Sequence, residues 1–358
     1  MSQQFQPLTI ESVEPLTNDA IAVSFRCPEG EAFCFKPGPY LTLRRTIDGE
    51  SLTRAYSICS SLKEGLKVGI RCQQGGRFST HALETFAAGD VLDALPPEGN
   101  MTADIDASHA LGYLLIGAGS GITPLLSIAR SVLEEEPGST VTLIYGNRRT
   151  GTMMFRDALC ALKNAHLERF MWVNVFSQEA QEAPLLNGRI DNRLGVALHG
   201  GLLDIASYDE FFLCGPEAMI SGVTRGLRGL GIDESRIHFE LFFASAADAE
   251  RVVARHQARA ARYGDQICRV AVKAGGRTTE FELASDGENI LDGALSAGID
   301  VPFSCRGGVC ATCKARVVEG DVEMDLNHAL DDAQLAQGLI LTCQAHPVGG
   351  RVLVDYDV

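Results

Sequence analysis

Cys305-Arg306-Gly307-Gly308-Val309-Cys310-Ala311-Thr312-Cys313, answered by Cys343, is the stretch from which the rest of the chain can be read. The spacing is C-x4-C-x2-C, then 29 residues, then the fourth cysteine. This is the ligand spacing of a [2Fe–2S] cluster, in which four thiolates hold two irons. Gly307 and Gly308 let the loop turn without a Cβ in the way, so its amides can point at the cluster sulfurs. A four-cysteine zinc site is the alternative. Zinc sites commonly join two short C-x2-C units, whereas here three thiols share one loop, and the iron–sulfur reading is preferred. Cys305, Cys310, Cys313 and Cys343 are the expected ligands.

Around this loop, residues 267–272 and 278–283 alternate as a hairpin, and 289–297 reads as a helix with Ile290, Leu291, Ala294 and Leu295 on one face. Residues 315–318 and 352–355 read as further strands, which makes a small mixed sheet with a crossing helix. Residues 266–358 hold 7 Lys/Arg against 14 Asp/Glu, a net of −7. That balance suits docking to a basic partner as well as plain solubility. Upstream, 244–264 has few large apolar residues and reads as an exposed linker, partly helical.

Further out, apolar runs at 113–116, 141–145, 171–176 and 211–213 read as buried strands. Helical periods at 123–135, 154–163 and 217–230 lie between them. Strands alternating with helices predict a parallel sheet covered on both faces, with ligands at the carboxyl ends of the strands. The first strand runs into Gly117-Ala118-Gly119-Ser120-Gly121-Ile122-Thr123-Pro124. Glycines before a helix admit a pyrophosphate, but Ile122 stands where the third Gly of G-x-G-x-x-G belongs, so the usual Rossmann fingerprint is rejected. The second strand ends in Gly146-Asn147-Arg148-Arg149. Arginine there suits a 2′-phosphate, which favours NADPH over NADH; two solvated surface arginines are the plainer reading.

The first hundred residues carry short β-type runs at 8–13, 21–27, 40–46, 52–59 and 66–72, separated by turn residues, with one helix-like stretch at 79–86 that Ser79 would cap. An antiparallel barrel or sandwich is expected. Arg54-Ala55-Tyr56-Ser57 places a cation and an aromatic on one strand face and a hydroxyl on the other, which suits a planar, phosphorylated ligand. Gly75-Gly76-Arg77-Phe78-Ser79 puts glycines and a hydroxyl at a helix start, where a phosphate is favoured. Each motif alone is also an ordinary strand or turn; before a nucleotide-type domain they support each other.

The formal net charge of −15 argues against nucleic acid and anionic membrane as partners. The N-terminus has no basic start followed by an apolar run, and the longest apolar stretch, 111–129, is broken by Gly117, Gly119, Gly121 and Pro124. Eleven cysteines without a disulfide rhythm suit a reducing cytoplasm.

R-x-Y-S followed by G-x-x-S resembles the flavin-binding pair of the ferredoxin–NADP reductase superfamily. The resemblance implies that Arg54, with Gly75, Gly76 and Ser79, contacts the flavin pyrophosphate. Tyr56 would pack on the isoalloxazine ring and Ser57 would hydrogen-bond near its reactive nitrogen. GxGxGxTP and Cys214-Gly215-Pro216 are similar to the nicotinamide domain of the same superfamily. This implies nucleotide binding by Gly117, Gly119, Gly121, Thr123, Gly215 and Pro216, with Cys214 beside the nicotinamide. The run 237–243 resembles the family's closing strand and the aromatic that covers the flavin; Glu240 and Phe242 are the candidates, and two adjacent phenylalanines leave the register open. The C-terminal unit resembles the β-grasp fold of plant-type ferredoxins.

The expected architecture is therefore multidomain: an antiparallel β-barrel flavin domain at 1–107, an α/β parallel-sheet nicotinamide domain at 108–243, a linker at 244–264 and a [2Fe–2S] ferredoxin domain at 265–358. A hydride carries two electrons and the cluster takes one at a time, so the modules form a wire from NAD(P)H through flavin and cluster to an outside acceptor. FAD is preferred to FMN because of the pyrophosphate site. The stretches RAYSICSS, GGRFS, AGSGITP, TLIYGNRRTGTMMFRDAL, CGPEAM, GGVCATCKARVVEGDVEM and LILTCQA span all three modules. They resemble the reductases of multicomponent oxygenases, in particular the reductase family of phenylacetyl-CoA epoxidases. This implies a diiron oxygenase component as the partner. Reductases of a 3-ketosteroid 9α-hydroxylase, or of a hybrid-cluster or nitric-oxide-detoxifying protein, are the alternatives.

Overall fold

Alternation along the first strand buries Leu8 and Ile10 and leaves Pro7 and Glu11 exposed, the pattern of a sheet with one face on a core. In the computed structural model this strand, β1 (Gln6–Thr17), is followed by β2 (Ala20–Phe25), β3 (Tyr40–Ile47), β4 (Glu50–Ser57), β5 (Leu66–Arg71), helix α1 (Arg77–Thr85) and β6 (Val91–Ala94). The structure describes residues 5–26, 32–73, 75–190, 203–242, 246–264 and 266–357, and of 246–250 the backbone alone. The antiparallel order is β4-β3-β6-β1-β2-β5. A bridge between Ile58 and Val68 ties the end of β4 to β5, which closes the sheet into the expected barrel. Leu8, Val23, Leu41, Val68 and Phe78 fill it. The predicted cap is corrected: Gly76, not Ser79, precedes α1. Ser79 lies in the first turn, where its hydroxyl accepts from the Gln73 amide at 3.0 Å and donates to the Gly76 carbonyl at 3.2 Å.

The alternating pattern that follows becomes β7 (Gly112–Ala118), α2 (Ile122–Glu135), β8 (Thr140–Asn147), α3 (Arg156–Ala165), β9 (Phe170–Phe176), β10 (Glu210–Cys214), α4 (Glu217–Gly229) and β11 (Ile237–Glu240). The strands are all parallel in the order β11-β10-β7-β8-β9. Leu114, Leu115 and Ile116 are buried on both faces, as helix-covered parallel strands require. Helix α3 starts two residues later than its apolar period suggests, because Phe155 stands before it with φ +59°. Barrel and parallel sheet together form one compact unit, Gln6–Glu240.

The second unit takes in Phe5 and the chain from Leu241 onward. It holds α5 (Ala246–Tyr263), β12 (Ile267–Ala274), β13 (Arg277–Ala284), α6 (Ile290–Ser296), β14 (Lys314–Met324), α7 (Asp332–Ala336), β15 (Leu339–Leu341) and β16 (Ala345–Asp355). The sheet order is β13-β12-β16-β14-β15; β12 and β16 run parallel and the other pairs antiparallel. Asn289 caps α6, its Oδ1 accepting from the Asp292 amide at 2.9 Å. The stretch expected as an exposed, partly helical linker is α5, and most of its described side chains are exposed; the departure is that it groups with the second unit and its Arg259 is only 2% exposed.

Candidate functional site

In the parallel sheet the chain moves from β7 outward to β9, then returns to place β10 on the other side of β7. The strand order therefore reverses between β7 and β10, and a crevice at such a switch point is where open α/β sheets take ligands. Gly117 and Cys214 are register partners across it. A Cβ on Gly121 would lie 2.1 Å from the Cys214 carbonyl oxygen, and one on Gly215 2.7 Å from Met219 Cε. Gly121 is thus needed for the two loops to close on each other, whereas at Gly215 the flexible end of Met219 could give way. Gly119 turns with φ +57°. Thr123 is buried and its hydroxyl donates to the Ser120 carbonyl at 2.9 Å, which fixes the start of α2. Pro216 sits at the cap of α4.

The barrel meets this crevice through β4. Ser57 is buried, and its Oγ donates to Glu240 Oε2, at the end of β11, over 3.5 Å. Glu240 is in turn the register partner of Cys214. Three residues singled out by sequence, from β4, β10 and β11, are so brought to one place. Burial first, and the Glu240 carboxylate second, push the Cys214 thiol well above its ordinary range, so it stays a neutral thiol at physiological pH. Tyr56 packs on Phe78 of α1 with ring centroids 5.6 Å apart, and burial raises its phenol. Arg54 is exposed and donates to its neighbour's carbonyl, Thr53 O, at 2.7 Å. Gly75 turns with φ +75° ahead of α1, and a Cβ on Gly76 would lie 2.8 Å from Ser79 Oγ.

Arg148 and Arg149 stand exposed just beyond β8. The turn after them is pinned by Glu179, which accepts from the Thr150 amide at 2.8 Å and its hydroxyl at 2.6 Å. Arg71 was not singled out by sequence, since a lone arginine ending a strand carries no signal. Its guanidinium lies 3.4 Å from Asp19 Oδ2, donates to the Thr152 carbonyl, and comes within 3.4 Å of where a Gly119 Cβ would be. Phe242 is half-buried, two residues beyond β11, and falls in the second unit.

In that second unit the four cysteines act on one another as two pairs: Cys310 is the chief influence lowering the Cys305 thiol, and Cys313 the chief influence lowering the Cys343 thiol. The Gly307 amide donates to Cys305 Sγ at 3.4 Å, and the Cys305 amide to Cys310 Sγ at 3.4 Å. The hydrogen bond from Cys310 is the largest cause of the drop in the Cys305 thiol to about 7. Arg306, Gly308 and Ala311 all take positive φ (54°, 73° and 50°), and the two non-glycine residues hold strained backbone of the kind found at ligand clamps. Among the described residues no three His, Cys, Asp or Glu side chains gather as around a single ion. Two thiols for each of two irons fit the donor set better than four thiols on one zinc.

Three domain families match successive parts of the chain: an oxidoreductase FAD-binding domain over residues 7–103, an oxidoreductase NAD-binding domain over 115–225, and a 2Fe-2S iron-sulfur cluster binding domain over 268–348. The chain is 42% identical to one of the subunits of the 1,2-phenylacetyl-CoA epoxidase of Escherichia coli, over 99% of this chain and 98% of that one. It is 31% identical to the ferredoxin reductase component of the 3-ketosteroid-9-alpha-monooxygenase of Rhodococcus rhodochrous, over 98% and 96%. Among solved structures, phthalate dioxygenase reductase shares the fold with a TM-score of 0.57, at 21% identity and 98% coverage of both chains.

Proposed function

This chain belongs to the family of oxygenase reductases that join an FAD and nicotinamide pair of the ferredoxin–NADP reductase type to a [2Fe–2S] module, and from that premise we propose that it supplies NAD(P)H electrons to the diiron oxygenase component of a phenylacetyl-CoA epoxidase. The likeness to the Escherichia coli protein over almost the whole of both chains carries this reading. When bound, FAD takes the two electrons of a hydride together and releases them singly, as the cluster requires.

The residues of the crevice do the positioning. Arg54, Gly75, Gly76 and Ser79 hold the flavin pyrophosphate at the start of α1, and the Tyr56 ring supports the flavin. The Ser57 hydroxyl, oriented by Glu240 Oε2 at 3.5 Å, would stand at the flavin edge that accepts hydride. Gly117, Gly119, Gly121, Thr123, Gly215 and Pro216 take the nucleotide, with the neutral Cys214 thiol beside the nicotinamide. Arg148 and Arg149 meet a 2′-phosphate, so NADPH is preferred to NADH. The cytoplasm is the compartment in which the cluster thiols stay available, and the described cysteines are all free.

The test is reconstitution with the purified oxygenase component, phenylacetyl-CoA and NADPH, with epoxide formation followed directly. Turnover that is stoichiometric with NADPH is the expected result. Support of a 3-ketosteroid 9α-oxygenase at a higher rate than of the epoxidase would move the assignment to that partner.

A further inference from the structure

Helix α5 lies outside the matched iron–sulfur domain, which begins at residue 268, yet it carries a charge into the interior of that unit. Arg259 Nη1 donates to Asp325 Oδ1 at 2.7 Å, with side chains 1% and 6% exposed. His346 Nε2 lies 3.1 Å from the other carboxylate oxygen. Burial alone would raise the Asp325 carboxyl, but the hydrogen bonds from His346 and Arg259 outweigh it and hold the group below its ordinary range. At the rim of the same helix Arg262 and Tyr263 both reach Glu323, at 3.4 and 3.1 Å, and Arg255 donates to the Met324 carbonyl.

Asp325 is one residue from the wall of the cluster loop. Its amide donates to the Gln344 carbonyl at 2.9 Å, and Gln344 Nε2 donates to the carbonyls of Arg306 and Cys343, each at 3.0 Å. A Cβ on Gly308 would lie 3.1 Å from Gln344 Cγ and 3.3 Å from the Leu326 carbonyl oxygen. The His328 amide donates to the Gly308 carbonyl at 3.0 Å. The segment 325–328 and Gln344 therefore both close on the loop at Gly308, and the carboxylate at the root of that contact is held by a helix outside the matched segment 268–348.

We propose that α5 is a structural wall of the iron–sulfur unit and that Arg259 is a positioning residue for the cluster, acting through Asp325 and His346 on the Leu326–His328 and Gln344 sides of the ligand loop. The inference rests on the [2Fe–2S] reading of the four cysteines. Removing one partner of a buried ion pair leaves the other charge uncompensated, whereas replacing both with apolar groups is far less damaging. Loss of the buried cation also leaves net negative charge beside the cluster, which lowers its potential.

The experiment uses the full chain and the variants R259M, R259K and the double R259L/D325L. Release of iron to a chelator and the cluster's midpoint potential, from a spectroscopic redox titration, are measured on each. Flavin content and NADPH–ferricyanide activity serve as controls for the first unit. R259M is expected to lose iron at least about tenfold faster and to titrate at a more negative potential, with R259K restoring both in part and the double variant restoring retention. Unchanged release and potential in R259M would overturn the proposal. If R259M binds no cluster, R259K and the double variant decide: a cluster in either supports the ion pair, and none in both shows that packing of α5, not Arg259, is responsible. Absence of iron–sulfur absorption from the unaltered chain would instead remove the cluster reading itself.

Discussion

Ser57 and Glu240 are 183 positions apart and meet at 3.5 Å, and the chemistry of the crevice should depend on that meeting. Ser57→Ala should slow flavin reduction by NADPH about a hundredfold while nucleotide affinity stays within about twofold, because general acid–base placement is lost and binding is not. Stopped-flow reduction at several NADPH concentrations separates the two; a change in affinity alone would show that the hydroxyl only packs. Cys214→Ala tests a different property. The folded thiol is raised, so its neutral form is present throughout the physiological range and is lost only far to the alkaline side. The variant should therefore lower the reduction rate about tenfold by disturbing nicotinamide placement, with the pH profile between about pH 6 and 9 unchanged. Disappearance of an alkaline limb in that window would contradict a neutral thiol. At this scale the sequence was informative wherever a motif compressed several roles into four residues, as in Arg54 to Ser57. It was silent on Arg71 and Arg259, whose partners lie 81 and 66 positions away and leave no local pattern.

Elements show why some of the chain was legible. Period-two alternation and continuous apolar runs marked the barrel and the parallel strands, since each pattern follows from how many faces a strand buries. The cap of α1 was misread because a hydroxyl three residues inside a helix looks the same in sequence as one at its border, and the preceding glycine was free to take the cap. Helix α5 was legible as exposed and partly helical, but its anchoring was not, because a helix held by one buried arginine lacks the apolar stripe that announces burial. The junction of β7, α2 and β10 gives a sharp prediction. Gly121→Ala must displace the Cys214 carbonyl, 2.1 Å from the new Cβ, and should cost about 1–3 kcal/mol of stability together with most nucleotide affinity. Thermal unfolding and NADPH titration check it, and a variant with unaltered affinity would show that the switch point is not the nucleotide site. Past the end of β8, changing Arg148 and Arg149 to Ala together should raise KM for NADPH more than for NADH; equal losses would remove the 2′-phosphate role.

For the molecule as a whole, the division falls at Glu240 and Leu241, so a cut after Gly264 would strand α5 without Asp325. Residues 1–242 should fold as a flavoprotein that passes electrons from NADPH to ferricyanide but not to the oxygenase, while 1–264 should be the less soluble of the two because Arg259 and its helix face lose their cover. Coupled turnover and gel filtration of both pieces test this; full oxygenase turnover by 1–242 would mean that electrons leave without the cluster. Docking by the acidic unit, with 14 Asp/Glu against 7 Lys/Arg over 266–358, should weaken as salt rises, since the field of exposed charge is screened within about 10 Å at 0.1 M.

The pairing of Cys313 with Cys343, 29 intervening residues further on, has a consequence for how the protein comes into being in a cell. Domains fold as units while the chain is still being made, earlier ones first, so the barrel and parallel sheet can be finished and flavin-loaded before the last of the four proposed cluster ligands exists. Iron scarcity would then yield a half-equipped enzyme that oxidises NADPH with no outlet to its proper acceptor. Growth in iron-depleted medium should give protein with full flavin, little iron, and NADPH consumption that no longer matches product formed.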